Sequence, residues 1–405
     1  MSLRVVLPGH IDTITPLPDM AGKRVKATLP NFRAIIERSR TVIRYNVITK
    51  SVEVIMPDKA FLSDNRLNCA IAEIVSLCAQ FNMPYGNVDA YINRVADENP
   101  YNPAATWLLG TEWDGQSRLG EFLNTITVTD EGNKDLKDIY IVKWMMSAIY
   151  ALTEPDGISA HGVLTFQGAQ GLGKTYWFKQ LVPYELGLTA DGFMLDPDNK
   201  DSVYQCCAKW LVELGEVDST FKKSDISQLK AFITRQTDIL RRPYARTEST
   251  FPRRTVFFAS VNATDFLHDD TGNRRFWVVP VKHINYRHGI DMQQVWREVY
   301  ERLYLKGVTH VLNEQEMEMA NKSNLSFTSV EPLSEMVGTE MNWDAVKEIW
   351  RWTTLTEVAT EILYRMPTKR EVSIVKSALE ARDGVQKKTV RGRLLIFCPP
   401  RTKAG

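Results

Sequence analysis

The chain has 405 residues, 44% of them hydrophobic, and a formal net charge of +1. This length and apolar content suffice for two or three domains with buried cores, and the charge excludes a protein that is cationic over its whole surface. The sequence has no run of 18 apolar residues and starts without the apolar core of a signal peptide, which predicts a cytoplasmic protein that binds no membrane. The five cysteines form no CxxC pair, which favours reduced thiols over a zinc site.

The predicted elements change character along the chain. After a start that contains proline and glycine, TVIRYNVITKSVEVIM alternates like two short strands and NCAIAEIVSLCAQFNM has helical spacing. Farther on, the apolar runs VLTF, WLVEL, TVFFASV and RFWVVP alternate with polar helical stretches, which is typical of an α/β fold with a parallel sheet. The sequence therefore predicts six regions: an N-terminal arm (1–28), an α+β region (29–112), a helical collar (113–152), an α/β domain (153–300), a helical connector (301–350) and a basic module (351–405).

A glycine turn follows the apolar run VLTF, and its residues from Gly168 to Thr175 match GxxxxGK[ST] at every fixed position. In this pattern backbone N–H groups converge on phosphate oxygens, the lysine reaches the β- and γ-phosphates, and the threonine hydroxyl binds Mg²⁺. An ordinary glycine-rich turn can match so short a pattern, but the preceding strand and following helix favour a P-loop for ATP and Mg²⁺. The predicted cofactor-binding residues are Gly168, Gly171, Gly173, Lys174, Thr175 and Tyr176.

The apolar strand in KWLVELGEVD carries two glutamates, Glu213 and Glu216. A carboxylate at the end of such a strand holds Mg²⁺ and polarises the attacking water. Glu216, where the strand is expected to end, is the preferred catalytic residue, and Glu213 is the alternative, facing the metal. The alternative is that one of the two carboxylates is an ordinary ion-pair partner of a neighbouring residue.

Two later segments complete the predicted catalytic set. Asn262 follows the strand TVFFASV, where its amide would orient water beside the γ-phosphate, although asparagine is also a common turn residue. Arg274 and Arg275 precede the strand FWVVP, and an arginine that meets the γ-phosphate stabilises transition-state charge, often across a subunit boundary. A surface salt bridge is the other interpretation of this arginine pair.

Taken together, GAQGLGKT, WLVELGE, LKAFITRQTDILRRPYAR, FFASVNATDFL and TGNRRFWVV resemble the virulence-associated protein E family. The resemblance covers roughly residues 95–285; family members are encoded largely by phages and mobile elements and are related to superfamily 3 helicases. It implies an AAA+-like P-loop ATPase core. With the sequence patterns on either side, the expected fold class is α/β, with a mainly helical N-terminal region before that core and a small C-terminal winged-helix-like module after it. It also implies a hexameric ring that hydrolyses ATP and acts on DNA during replication, in the cytoplasm of a bacterial host.

Residue by residue, the resemblance assigns Lys174 and Thr175 to the P-loop, Glu216 with Glu213 to the acidic strand, and Asn262 to the sensor. It assigns the finger to one of the two arginines, Arg274 or Arg275. Superfamily 3 proteins often carry two adjacent acids, whereas the acids here are three positions apart, so the division of labour between them stays open. The first 150 residues carry no paired-aspartate metal site and no zinc ligands, so we predict no primase activity; a separate primase or other replication proteins are candidate partners.

Two basic segments are candidate DNA contacts. The first lies between the acidic strand and the sensor, where cations would track a single strand in a central channel and a tyrosine would stack on a base. Contacts across a subunit interface are the alternative for this segment. Its residues are Lys230, Arg241, Arg242, Tyr244 and Arg246.

The second segment, Arg365–Gly405, has eleven Lys/Arg against three Asp/Glu, a net charge of +8. Two helices followed by a hairpin with Gly392 near its turn predict a winged-helix-like module on duplex phosphates, with a helical cap as the alternative. Its candidate contacts are Lys369, Arg370, Lys387, Lys388, Arg391 and Arg393.

These motifs favour an ATP-dependent DNA motor, a helicase. The first alternative is a replication initiator that ATP organises on DNA without unwinding it. A P-loop small-molecule kinase is the third candidate, and the two basic segments argue against it.

Overall fold

The structure, a computed structural model, describes residues 11, 13 and 15–402 except 58, 63, 216–228, 230, 241–247, 265, 268–272, 328–331 and 391, and omits the side chains of 332 and 370. The chain divides into two compact units. The first unit falls within residues 1–263 and 274–323, and the second within 264–273 and 324–405. Among the described residues, none of the helices has the length and apolar character that crossing a membrane requires.

The amino-terminal part of the first unit packs three helices against small sheets. Its core includes Phe32, Ile74 and Ile92, each at least 97% buried. The predicted amphipathic helix and strand pair are present as α2, β3 and β4. The elements are β1 (Met20–Ala21), β2 (Arg24–Val25), α1 (Leu29–Arg38), β3 (Val42–Asn46), β4 (Ser51–Ile55), α2 (Arg66–Gln80), α3 (Val88–Asp97) and β5 (Pro100–Tyr101).

A six-stranded sheet forms the centre of the first unit. Its order is β6-β13-β7-β12-β9-β8, with β6 antiparallel to its neighbour and the other strands parallel, so the predicted parallel sheet is confirmed. The four apolar runs noted in the sequence form its four central strands, whereas both edge strands were unpredicted. The strands are β6 (Ile126–Val128), β7 (Val163–Gln167), β8 (Thr189–Phe193), β9 (Leu211–Leu214), β12 (Val256–Val261) and β13 (Phe276–Ile284).

Helices pack on this sheet through large aromatic side chains. Trp144, Trp210 and Trp296 are fully buried, and each indole N–H donates to a backbone carbonyl, at 2.6 to 3.0 Å. Truncating such a ring typically costs about 3–5 kcal/mol. The helices are α4 (Pro103–Leu109), α5 (Leu119–Leu123), α6 (Lys134–Thr153), α7 (Lys174–Lys179), α8 (Lys200–Cys207), α9 (Met292–Arg302) and α10 (Glu314–Asn324).

An antiparallel hairpin joins β9 to β12 in the chain. Its strands are β10 (Thr237–Leu240) and β11 (Ser249–Pro252). At its base Arg253 and Asp238 form a buried ion pair, with Nε 2.6 Å from Oδ2. Lys50, on the β3–β4 turn, is also buried and donates to the Cys207 carbonyl, and burial lowers the pKa of its ammonium.

In its described residues, the second unit combines three α-helices with a three-stranded antiparallel sheet of order β14-β16-β15. The predicted two helices and hairpin are present, and Gly392 has φ +78° at the hairpin turn. Its core also takes in Leu333 and Val337, which lie in the stretch predicted to be a connector. The elements are α11 (Pro332–Glu340), β14 (Arg351–Thr353), α12 (Leu355–Leu363), α13 (Lys369–Glu380), β15 (Gln386–Val390) and β16 (Arg393–Cys398).

Candidate nucleotide-binding site

The glycine turn leaves β7 at the carboxyl edge of the parallel sheet, and α7 starts directly after it. Because β7 lies between β12 and β13 while the next strand in the chain lies at the far edge, the strand order reverses here, which is where parallel sheets bind ligands. Gly173 caps α7 at φ +88°, and a Cβ there would meet the Tyr286 ring. A Cβ on Gly168 would lie 2.7 Å from the Val281 carbonyl oxygen. Glycine is therefore required at Gly173 for conformation and at both positions for space.

Lys174 is 94% buried, and its ammonium lies among oxygen acceptors of the turn. Nζ donates to the carbonyls of Gly168 at 2.6 Å and Ala169 at 3.0 Å, and to Oδ1 of Asn262 at 2.9 Å. The predicted sensor therefore lies beside the P-loop lysine, at the carboxyl ends of β12 and β7. This contact brings two of the predicted catalytic residues together.

Glu213 on β9 accepts two hydrogen bonds at one carboxylate oxygen. Oε1 is 2.7 Å from the donating hydroxyl of Thr175 and 2.5 Å from that of Ser260 on β12. The side chain is 98% buried, and burial raises its pKa above the usual range, against the lowering effect of the two hydroxyls and the backbone of Gly192. Of the two glutamates in the sequence motif, Glu213 is the one that contacts the P-loop.

A hard divalent cation fits this cluster chemically. Oε2 of Glu213 is buried and makes no hydrogen bond within the described part of the chain, and the Thr175 hydroxyl directs its hydrogen to Glu213, so its lone pairs remain available. Carboxylate and hydroxyl oxygens are ligands that Mg²⁺ accepts, usually together with water and substrate phosphates. The described residues contain no group of three His, Cys, Asp or Glu that would hold a metal alone, so phosphate would have to supply the remaining ligands.

Asp191 and Tyr286 lie near this cluster and were not predicted from the sequence. Asp191 on β8 forms a 2.8 Å ion pair with Lys179 and lies close enough to Glu213 to contribute to its raised pKa. Tyr286, after β13, stacks on the exposed ring of Tyr176 with 5.5 Å between ring centroids. Both residues reach the site through strand order rather than through a local motif.

The two arginines lie away from this cluster within one chain. Arg274 and Arg275 form a short 3-10 turn before β13, whose first residue Phe276 pairs with Val163 at the start of β7. The glycine turn starts five residues later, which is about 16 Å along a strand. Both arginines also lie near His161, whose pKa is lowered by burial and by their charges. They are therefore at the amino edge of the sheet, opposite the P-loop.

Several predicted residues lie outside the described part of the chain. They comprise the preferred catalytic acid, the basic segment before the sensor and one residue of the terminal hairpin. Residues 241–247 of the basic segment lie in the chain between β10 and β11, whose facing ends Leu240 and Ser249 are paired, and residue 230 precedes β10. The residues concerned are Glu216, Lys230, Arg241, Arg242, Tyr244, Arg246 and Arg391.

The described cations of the terminal hairpin have different surroundings. Lys387 forms an ion pair with Glu380 at 3.2 Å, whereas Nζ of Lys388 lies 3.8 Å from the centre of the Trp352 ring. Arg393 is exposed on β16. Lys369 is exposed at the first position of α13.

Comparison with known proteins gives a family and a fold. Residues 108–329 match the family model described as the virulence-associated protein E-like domain. No curated protein matches the sequence. Among solved structures, an apo A form of the NrS-1 C-terminal region shares 13% identity with a TM-score of 0.50, covering 91% of this chain and 98% of that one. Another apo structure of that region has 13% identity, a TM-score of 0.49, and coverages of 92% and 98%. At this identity the first likeness concerns the fold alone.

Proposed function

This chain belongs to the virulence-associated protein E-like domain family, and on that premise we propose that it is an Mg²⁺- and ATP-dependent DNA motor. Its place would be the replication of a phage or mobile element. The coarser part of the proposal, a replication-related protein, rests on the family. The finer part, nucleotide hydrolysis coupled to DNA, rests on the chemistry of the site.

One observation carries the proposal: Lys174, Glu213 and Asn262 come together at the carboxyl ends of three neighbouring strands, β7, β9 and β12. Lys174 and Asn262 are joined by a hydrogen bond of 2.9 Å, and Thr175 and Glu213 by one of 2.7 Å. Phosphoryl transfer needs little covalent chemistry from the protein and relies on positioned charge, which is what such a group provides. A purely structural ion pair would not require the amide of Asn262 or the hydroxyl of Ser260 beside the charged groups.

Each residue then has a role in handling phosphate. Lys174 would exchange its carbonyl acceptors for β- and γ-phosphate oxygens, and Asn262 would hold that ammonium or the attacking water. Thr175 and Glu213 would hold Mg²⁺, which when bound neutralises charge on the phosphates. Glu216 stays the proposed general base. Tyr176, with its stacking partner, offers an aromatic surface to the base of the nucleotide.

The arginine finger would come from another copy of the chain. Because Arg274 and Arg275 lie at the sheet edge opposite the P-loop, a head-to-tail contact would bring them to a neighbour's γ-phosphate. Head-to-tail contacts close into rings when the rotation between copies permits. This geometry supports the ring that the family resemblance implies, and a hexamer remains the proposed size.

DNA would be engaged at two places. The buried ion pair of Asp238 and Arg253 fixes the base of the β10–β11 hairpin, whose connection carries residues 241–247 of the basic segment proposed to follow a single strand. In the second unit, Lys369 at the start of α13 is proposed to contact duplex phosphates.

The direct test measures phosphate release by the wild type, Lys174→Ala and the control Lys134→Ala, whose lysine is exposed at the start of α6. We expect DNA-stimulated hydrolysis by the wild type and the control, and a loss of about a hundredfold or more for Lys174→Ala with the fold intact. Equal rates for all three proteins would reject the site. Strand displacement on a forked duplex then separates a helicase from an initiator, which would hydrolyse ATP and bind DNA without unwinding it.

A further inference from the structure

The three-stranded sheet of the second unit has one face away from its core. Thr353, Ile396 and Cys398 point into the core, each at least 94% buried. Side chains alternate along a strand, so their neighbours point the other way. We call this second set the outer face; its members are Trp352, Gln386, Lys388, Val390, Arg393, Leu395 and Phe397.

Aromatic rings occupy the centre of the outer face. Phe397 lies between Trp352, at 5.2 Å between ring centroids, and the largely buried Trp350, at 5.6 Å. Trp352 is nevertheless 37% exposed. Leaving a large ring in water forgoes part of the hydrophobic stabilisation that burial would give. The Trp352 ring packs against Phe397 on one side, and an exposed aromatic ring of this kind is a surface on which a nucleic-acid base can stack.

The charge of the outer face has a single sign. Lys388 and Arg393 are its charged members, and the sequences of β14, β15 and β16 contain no acidic residue. Lys388 reaches across β16 to place its ammonium 3.8 Å from the centre of the Trp352 ring. The adjacent Lys387, on the core side, is instead paired with Glu380. Within the described part of the chain, the outer face thus combines an exposed aromatic ring with positive charge that forms no ion pair.

We propose that the outer face binds single-stranded DNA, with one base stacked on Trp352 and the adjoining phosphates held by Lys388 and Arg393. Stacking of a base on an aromatic side chain contributes more to binding than an exposed cation over a ring does. A base therefore displaces the Lys388 ammonium from the ring, and the ammonium moves to a phosphate. Duplex DNA is disfavoured because its bases already stack on one another.

The outer face shares no residue with the nucleotide site, and it deepens the DNA-binding part of the proposed function. A motor that separates strands produces single-stranded DNA, and a stacking surface in the same unit as the proposed duplex contact Lys369 would retain one of the products. The inference rests on DNA being the partner but not on ATP hydrolysis. Loss of activity in Lys174→Ala therefore says nothing against it.

The test uses the full chain and a fluorescein-labelled thymidine oligonucleotide of about 20 nucleotides, followed by anisotropy at several salt concentrations. We expect Trp352→Ala to weaken binding about tenfold and Trp352→Phe, which keeps a ring, to stay within about threefold of the wild type. Lys388→Gln should lower the salt slope by about 0.7. The matched control is Arg382→Gln, since that arginine also lies over a tryptophan, Trp343, but off the outer face.

A second readout does not depend on folding differences between variants. An oligonucleotide carrying 5-iododeoxyuridine is irradiated with the wild-type protein, and the cross-linked peptide is identified by mass spectrometry. Cross-linking at Trp352 supports the proposal, and an adduct only elsewhere overturns it. Equal affinities for Trp352→Ala and the wild type, or weakening confined to duplex DNA, overturn it as well. If the outer face binds DNA while the wild type hydrolyses no ATP, the motor is rejected and this surface stands.

Discussion

Replacing Glu213 by glutamine should stabilise the protein at neutral pH in metal-free buffer while abolishing hydrolysis. The glutamine oxygen can accept the same two hydroxyl hydrogen bonds, from Thr175 and Ser260, so the geometry is kept and the charge is removed. Burial outweighs the two hydroxyl hydrogen bonds, since the pKa of the Glu213 carboxyl is raised, so the ionised form is the less stable form in the folded protein. We expect a net gain of about 1 kcal/mol, or about 2 °C in Tm for a unit of this size.

The stability difference between Glu213→Gln and the wild type should depend on pH. Because burial raises the pKa of Glu213 in the folded state, the folded protein holds the proton more tightly than the unfolded chain does. The penalty of the ionised form is therefore present above the folded pKa and disappears as pH falls below the unfolded value of about 4.5. The advantage of Glu213→Gln should shrink over that range.

Glu298 provides a matched control of opposite sign. It is also fully buried, but hydrogen bonds from Ser117, from the backbone of Arg118 and Leu119 and from Arg302 outweigh the effect of burial, and its pKa is lowered. Its ionised form therefore adds stability above the unfolded pKa, and that contribution is lost as pH falls through the folded pKa. Glu298→Gln should lower Tm at neutral pH.

Scanning calorimetry from about pH 4.5 to 8, with and without Mg²⁺ and ATP, measures both variants. Mg²⁺-ATP should raise the Tm of the wild type and of Glu298→Gln, because both keep the proposed site, and should leave Glu213→Gln unchanged. A lower Tm for Glu213→Gln than for the wild type at neutral pH without metal would refute the reasoning. So would an equal response of all three proteins to Mg²⁺-ATP.

Three further predictions concern separate parts of the proposal. Alanine at Arg274 or Arg275 should leave ATP binding intact and hydrolysis absent, and mixing that variant with Lys174→Ala should restore some activity at hybrid interfaces; no rescue at any ratio, with assembly confirmed by size, counts against action in trans. Tyr286→Leu should weaken ATP binding about tenfold and leave inorganic tripolyphosphate binding unchanged, because only the base meets the ring; calorimetric titration that shows equal losses would place the residue elsewhere. Lys369→Gln should lower the salt slope of duplex binding by about 1, and an unchanged slope would remove that lysine from the phosphate contacts.

The parts of the fold that the sequence predicts are those encoded in local stretches. The strand VLTF, Val163 to Phe166, and the following glycines form a local pattern, and β7 with its turn lies where that pattern indicates. In contrast, β8 has the sequence TADGF, with a glycine and an aspartate that disfavour strands. Strand β8 forms because it pairs with the edge of β9. The local sequence therefore does not predict that Asp191 lies near the site. Strand β6 interrupts the predicted helical collar in the same way, by pairing with β13 from a distant part of the chain.

The same distinction applies to the site. The P-loop residues are consecutive, so one motif predicts Lys174 and Thr175 together, whereas the choice between two glutamates depends on which side chain the strand turns toward the loop. The hydrogen bond from Thr175 decides the contact in favour of Glu213. The Tyr286 ring meets Gly173 across more than a hundred positions of sequence, and no local periodicity could have indicated it.

The position of Arg274 and Arg275 at the amino edge of the sheet has a consequence for when the protein is active. If each site is completed by a neighbour, a single copy of the chain holds ATP without turning it over. The rate per molecule should then rise with protein concentration until assembly is complete, and fall to zero on dilution. Protein made early in an infection, or early in the mobilisation of an element, would be inactive. Hydrolysis would begin only when the concentration of the chain was high enough for assembly.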